Sequence, residues 1–315
     1  MSESRASSRA DLHVHTRHSR VSGTMRFLRS RDCYSDPFEL YAVAKRRGMQ
    51  IVTFTDHDSI EGCLEFLSRH PDASDFLVGE EVSCRVPDTD LQVHLGVYGT
   101  NEAIHADLQP LRGNVFEAMA YLRAHDVFFA LNHPFFFYRH QLPLAEYLRL
   151  LAAAPALEVR NGSMLQSHNA LVGDLWTRLR GAAAPVVAGS DAHTLRRVGR
   201  TWTEAPGTTA AAFLGSLRAG AGRAGGGHGG SATIAGDAYG VVARYAASIF
   251  GFGPRDHHGW HRLVCAACVV ASPPAQFLPA AIAVMGKATE RRVVGAVAAS
   301  LAADAGLAPA CVDQA

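Results

Sequence analysis

His13-Val14-His15 sets two imidazoles two residues apart, so an extended backbone would point both rings to one face and let them reach a single metal ion. An isolated pair of this kind could equally be exposed or core-lining, but it does not stand alone. Asp56-His57-Asp58, Glu80-Glu81, His133 before Pro134, and Asp191-Ala192-His193 follow it along the chain. Such a mixture of nitrogen and oxygen donors suits a multinuclear centre of divalent cations. The chemistry would be hydrolytic. Two cations a few ångströms apart can acidify a shared water, orient an in-line attack and neutralise charge on phosphoryl oxygens. Asp191 and His193 are the candidates for moving the proton. Asp56 is expected to support its neighbour His57 by accepting the other ring N–H, not to bind metal itself. Arg160, Arg196 and Arg197 could hold a phosphate in a bidentate way, or could be solvated surface arginines.

These residues need elements that bring them together. Seven short apolar runs, each too short for a helix, read as strands: residues 11–15, 51–55, 76–82, 92–98, 128–132, 156–159 and 185–188. Helical patterns lie between them over residues 37–47, 60–69, 115–125, 142–153 and 168–180, two of them closed by Gly48 and Gly181. The alternation predicts an α/β fold with a parallel sheet or barrel. The His and carboxylate clusters all fall at or just past strand ends, where barrel enzymes carry their chemistry, and this favours the barrel.

The ordered motifs Asp11-Leu-His13-Val-His15-Thr16, Thr55-Asp56-His57-Asp58, Glu81-Val-Ser83, Asn132-His133-Pro134 and Gly189-Ser-Asp191-Ala-His193 resemble those of the PHP (polymerase and histidinol phosphatase) family over roughly residues 11 to 200. The resemblance implies a distorted seven-stranded β/α barrel with two or three divalent metals that hydrolyses phosphate esters. It further implies that His13, His15 and Asp191 hold one metal and that Glu81 bridges it to another. His94 and His133 would hold a third, and His57 and His193 match the ligands of the remaining one. The family usually places an Asp or His just after the Ser that follows the first motif. Here Ser19 is followed by Arg20 and Val21, and Asp32 or the nearer His18 would have to substitute.

Composition sets the outer bounds. With 48% apolar and 19% charged residues and a formal charge of +1, the chain reads as an ordinary globular protein without an overall field for nucleic acid or anionic membrane. Its 16 His are roughly twice the average usage. Six Cys and no secretory signal after Met1 fit a cytoplasmic protein. Residues 1–222 are assigned to the barrel, and 223–315 to a Gly-rich linker and a helical C-terminal region. Pro273, Pro274 and Pro279 break the apolar stretch 263–285, so no transmembrane helix is expected, though an interfacial contact is compatible with it.

The remaining clusters carry weaker signals. Cys265 and Cys268 read as buried thiols in preference to a zinc site with His257, His258 and His261. His70, His105, His125, His140 and His168 read as surface residues. The substrate would be a phosphorylated small molecule, a nucleotide or an oligonucleotide end, with zinc, manganese, iron or magnesium as the metal. Bases could stack on Phe135-Phe136-Phe137-Tyr138 with Arg139, or that loop could pack under a lid. Two rival readings remain: a non-catalytic barrel serving as a metal-binding interaction module, and a metal hydrolase of the amidohydrolase type. The second would want a carboxylated Lys in mid-barrel, and no Lys lies between Lys45 and Lys287.

Overall fold

A computed structural model of the chain describes residues 6–19, 30–89, 91–136, 144–252, 258–271 and 277–303. It is an α/β fold around a curled mixed sheet of six strands. In sheet order these are β2 (Val52–Phe54), β3 (Phe76–Arg85), β4 (Gln92–Tyr98), β5 (Phe128–Asn132), β6 (Leu157–Asn161) and β7 (Val186–Gly189). β2 and β3 are parallel, as are β5, β6 and β7, but β4 runs antiparallel to both of its neighbours. The wholly parallel sheet expected from strand-helix alternation therefore fails at β4. Only residues 86–91 join β3 to β4, too few for the crossover that parallel neighbours require.

The first motif supplies no strand to this sheet. β1 is Ser7–Ala10, and it pairs with β8 (Thr201–Pro206), which pairs in turn with β9 (Arg223–Gly226) in a separate antiparallel sheet. Residues 11–15 instead run as an extended strip between the two edges of the large sheet. Thr55 N donates to Val14 O at 2.8 Å on the β2 side, while Leu12 N and His15 N donate to Ala188 O in β7 and to Ala192 O just past it at 3.4 and 3.1 Å. The expected seventh strand is thus not formed as a regular strand: backbone bonds hold it on both sides, but side chains enter the pattern. The Thr55 hydroxyl serves both the N–H and the C=O of Val14, and Asp11 accepts from Ser190 N at 2.7 Å.

Helices cover the outer face. In α1 (Pro37–Arg46), the Asp36 side chain caps Phe38 N and Glu39 N, proline fills the first turn and Lys45 and Arg46 close the last. α2 (Glu61–Arg69), α4 (Val115–Ala124), α5 (Leu144–Ala153) and α6 (Gln166–Arg180) fall where the periodicity predicts helices, and residues 142–143 lie outside the described residues. α3 (Glu102–Leu111), capped by Asn101, and α7 (Ala210–Arg218), capped by Thr209, are additional.

Beyond residue 222 the Gly-rich stretch is not a free linker, since Arg223–Gly226 form β9 on the edge of β8. α8 (Ser231–Ile249), α9 (Gly259–Ala271) and α10 (Leu278–Ala303) follow. Val293 and Val297 of α10 join the core cluster that contains Val82, Leu95, Leu131 and Trp176, so this helix packs into the core of the large sheet. Among the described residues no helix is long and apolar enough to cross a membrane.

Candidate metal centre

Each of the five motifs sends at least one His or carboxylate into a single cluster, although Asp11, Asp56 and Asp58 stay outside it and Glu81 lies in the middle of β3, not at a strand end as expected. The approach of the first motif to β7 depends on Gly189, where a Cβ would stand 2.3 Å from the Cβ of His13 and 2.4 Å from its backbone N. Behind this contact the buried Asp11 accepts from Ser190 N, Ser190 Oγ and Gly199 N, tying the first strip to the loop that carries Asp191. Burial pushes the Asp11 carboxyl up to about 6 against those donors. Asp191 and His133 hold left-handed φ values of 52° and 25°, a conformation that costs a non-glycine residue about 1 kcal/mol or more.

Glu81 at the middle of β3 is the hub. Its Oε2 lies 3.1 Å from His13 Nε2, 3.2 Å from His57 Nδ1 and 3.6 Å from His15 Nε2. Its Oε1 lies 3.1 Å from both His94 Nδ1 and His133 Nε2. Asp191 Oδ1 faces His15 Nε2 at 3.4 Å, His13 Nε2 at 3.6 Å and His193 Nδ1 at 3.7 Å. All eight sequence-predicted ligands, His13, His15, His57, Glu81, His94, His133, Asp191 and His193, are therefore brought together.

Of the two residues that could stand in for the family's usual Asp or His, Asp32 is the one that reaches the cluster. Its Oδ2 lies 3.0 Å from His193 Nε2 and 3.8 Å from His57 Nε2, so that His15, Asp32, His57 and His193 form one potential ligand set. His18 turns away to Glu65, 2.6 Å distant. Arg20 and Val21, which stand at the family's usual ligand position, lie outside the described residues.

Hydrogen bonds on the far side of the rings fix which nitrogen faces inward. Ser19 Oγ accepts from His57 N at 3.1 Å and gives its one proton to Asp32 at 3.2 Å. It must then accept from His15 Nδ1, 3.3 Å away, which leaves the His15 Nε2 lone pair facing Glu81 and Asp191. His13 Nδ1 meets Glu158 Oε1 at 2.9 Å, and Glu158 Oε2 accepts from His133 N and Asn161 Nδ2. Glu158 thus stands behind His13 as the carboxylate that orients it. It lies in the run 156–159, where a position near the end of a strand was the available signal for it.

Asp56 does not do this for His57. Its two oxygens accept from Thr16 N and Thr16 Oγ1, bracing the turn after the first motif instead. The difference follows from strand geometry: adjacent residues on an extended chain point to opposite faces, so Asp56 cannot follow His57 into the site.

The charges are strongly coupled. Burial opposes charge on His13, yet Glu81, Asp191 and Glu158 raise it well above an ordinary imidazole. Burial likewise disfavours ionised Glu81 and Asp191, but the surrounding imidazoles hold both well below the usual carboxylate range. Burial and the neighbouring His193 and His57 push His15 down to about 3, which keeps its ring neutral. His193 overcomes burial through Asp32 and Asp191 and rises to about 10.

Residues and metal fit one another. Buried His13 Nε2, His15 Nε2, His57 Nδ1 and Glu81 Oε2 have no hydrogen-bond partner among the described residues, and they converge on one another. Leaving such atoms unpaired costs about 1–3 kcal/mol each, and divalent cations would satisfy them.

The arginines differ from expectation. Arg197 is buried and spends its guanidinium on Ser163 Oγ, Asp237 Oδ2 and Ser190 O, so it is not available to a phosphate. Arg160 donates to Gly226 O at 3.0 Å. Arg196 is exposed at the rim. His168 is not on the surface but is buried against Glu290, and His105 bonds the buried Glu80 at 2.7 Å. Phe135 is buried against Tyr147, Phe136 is exposed, and Phe137, Tyr138 and Arg139 lie outside the described residues, as do His140 and His257. Cys265 is buried beside His261 and Cys268 is exposed, and no potential ligand set among the described residues includes them. Lys287, on α10, binds Ser163 O and Glu290 and stands outside every potential ligand set among the described residues, so it does not supply the mid-barrel lysine an amidohydrolase would want.

Residues 180–221 match the family model described as PHP-associated. A stretch of 57 residues is 39% identical to an uncharacterized protein of Methanocaldococcus jannaschii, covering 18% of this chain and 33% of the relative. The chain thus spans about a third of the length of that curated relative. Among solved structures, it is similar to a two-domain protein containing a predicted PHP-like metal-dependent phosphoesterase from Bacteroides vulgatus (TM-score 0.49, 15% identity, 70% of this chain and 65% of that one). It is also similar to an amidohydrolase from Chromobacterium violaceum (TM-score 0.45, 19% identity, 60% and 89%). The PHP-associated match, with the ordered motifs that meet in this centre, supports a PHP-family protein.

Proposed function

We propose that the chain is a metal-dependent phosphoesterase acting on a phosphorylated small molecule or nucleotide. The observation that carries the reading is the convergence on Glu81 of buried nitrogen donors with no other partner, joined by Asp32 and Asp191. Two or three divalent cations bound there would supply Lewis-acid stabilisation of phosphoryl charge and an acidified water. The protein's part is to hold the donors rigidly. Glu158 and Ser19 fix the His13 and His15 rings, and Asn161 Nδ2 steadies Asp191 Oδ2 at 3.3 Å. His193 lies nearer the opening than His13 or His15, with its side chain 24% exposed, and its bond to Asp32 favours the protonated ring. With a cation bound, the ring would give up that proton and stay neutral, so handling the proton of the attacking water would fall to Asp191. Arg196 is the remaining rim arginine for an anionic group of the substrate.

Turnover of p-nitrophenyl phosphate and bis-p-nitrophenyl phosphate by protein purified without chelator, with and without added Mn, tests this directly. The proposal expects hydrolysis of at least one ester and a loss of at least about 100-fold in His13→Ala, as for a lost catalytic group. No turnover of either ester after metal is restored would remove the enzyme reading. Salt-sensitive binding of oligonucleotides would move the substrate from metabolite to nucleic acid.

A further inference from the structure

We infer that α8 forms one wall of the substrate site, and that the groove between it and the β7–β8 loop binds a second anionic group of a small substrate through Arg196 and Arg244. This rests on the phosphoesterase reading for what happens at the His193 end of the groove. A cavity of about 190 Å³ reaches His193, with Arg196 on the loop side and Gly240, Val241 and Arg244 on the α8 side. A second cavity, of about 320 Å³, shares Arg196 and extends to Arg200 and His228 along the preceding turn of the helix.

Helical spacing makes this one continuous surface. Gly236, Gly240 and Arg244 recur every four residues and lie on one face of α8. The missing side chains let the helix come close to the metal rim, since a Cβ at Gly240 would stand 2.8 Å from Thr194 Cγ2. Asp237 fastens that face in place, accepting from Thr194 Oγ1 at 2.5 Å and from Arg197 Nη1 at 2.9 Å. Arg197 and Asp237 therefore cancel each other's charge and act as the hinge pin of the groove.

Arg196, Arg200 and Arg244 are different. All are exposed, and their guanidinium groups have no hydrogen-bond or ion-pair partner among the described residues. The carboxylate facing the nearer cavity is that of the exposed Glu39. A positive groove with rigid walls that opens at His193 suits a phosphate or carboxylate several bonds away from the ester being cleaved. The short, walled space favours a metabolite over a tracking polymer.

The first arm of the test is ³¹P NMR titration of inorganic phosphate into chelator-treated protein. Binding should weaken at least fivefold in Arg196→Gln and in Arg244→Gln and persist in His13→Ala. Wild-type binding in both arginine variants, or loss of binding in His13→Ala, would overturn the proposal. The second arm uses metal-loaded enzyme with a sugar bisphosphate and the matching monophosphate. The ratio of their kcat/KM values should fall about tenfold in Arg244→Gln, and an unchanged ratio would overturn the assignment. An oligonucleotide that displaces phosphate more than tenfold better than the bisphosphate would also overturn it. Arginine-dependent phosphate binding in protein that hydrolyses no ester would keep the groove and remove the hydrolase reading.

Discussion

Glu81 is fully buried, yet His13, His15 and His57 approach one of its oxygens and His94, His133 and Asn132 the other. Its charge is what gathers these rings, so Glu81→Gln should keep the shape and lose the function. We predict at least about a 100-fold loss in metal affinity, beyond the 10- to 100-fold typical of outer supporting residues, measurable by competition with a chromophoric chelator. His193 gives a pH signature. Raised to about 10 in metal-free protein, it stabilises the fold below the ordinary imidazole pKa of about 6.5 and loses that contribution as pH rises through 10. Metal needs the neutral ring, so the sign for binding is opposite: affinity should rise with pH over the same window. Calorimetry at pH 7.5 in buffers of different ionisation enthalpy should show proton release on metal binding, and His193→Ala should release one proton fewer. The His-x-His pair and the four later clusters were legible because their residue types and spacing are chemical signals in themselves. Asp32 was legible only as an option, and the Arg197–Asp237 pair not at all, because its members are 40 residues apart and meet through packing.

The elements behave as positioning devices with identifiable weak points. Gly189→Ala would drive a methyl group into the His13 backbone, where a contact of 2.4 Å leaves no room. Overpacking of this kind typically costs about 1–3 kcal/mol, and the upper end is expected because backbone must move. Denaturant unfolding would register the stability loss and a metal titration the accompanying fall in affinity. On α10, Lys287 donates to Ser163 O and Glu290, while Glu290 also accepts from Leu165 N at 2.7 Å and faces His168 at 3.2 Å. Glu290→Ala would leave Lys287 and His168 buried without their carboxylate, at a cost of about 3 kcal/mol. Hydrogen exchange should then show faster opening of residues 278–303, whereas unchanged protection would mean that the apolar contacts of Val293 and Val297 suffice. Short apolar runs disclosed β2 and β5 because burial on both faces leaves few polar residues in them, whereas β3 and β6 stood out despite Glu80, Glu81, Glu158 and Arg160. The antiparallel turn of β4 and the irregular strip at 11–15 were not legible. The first depends on the brevity of residues 86–91, and the second on side-chain bonds from Thr55 and Asp11.

At the scale of the molecule, the C-terminal region is part of the working structure. β9 extends the small sheet, α8 faces the metal rim and α10 enters the main core. Glycine richness over 219–230 hid this, since composition predicts flexibility where close packing against β8 was the actual requirement. Metal should stabilise the whole fold, by about 2.7 kcal/mol at a free concentration 100 times Kd, and a rise in Tm on adding Mn or Zn to chelator-treated protein would report it. The central claim is that the residues around Glu81 hold catalytic metal. The most direct measurement is elemental analysis and p-nitrophenyl phosphate turnover on the same samples of wild type and Glu81→Gln, purified without chelator or affinity-tag nickel. Two or more metals with turnover are expected in the wild type, and joint loss of both in the variant. A wild type that binds one metal or none and stays inactive after Mn is restored would contradict it, as would turnover that survives the substitution.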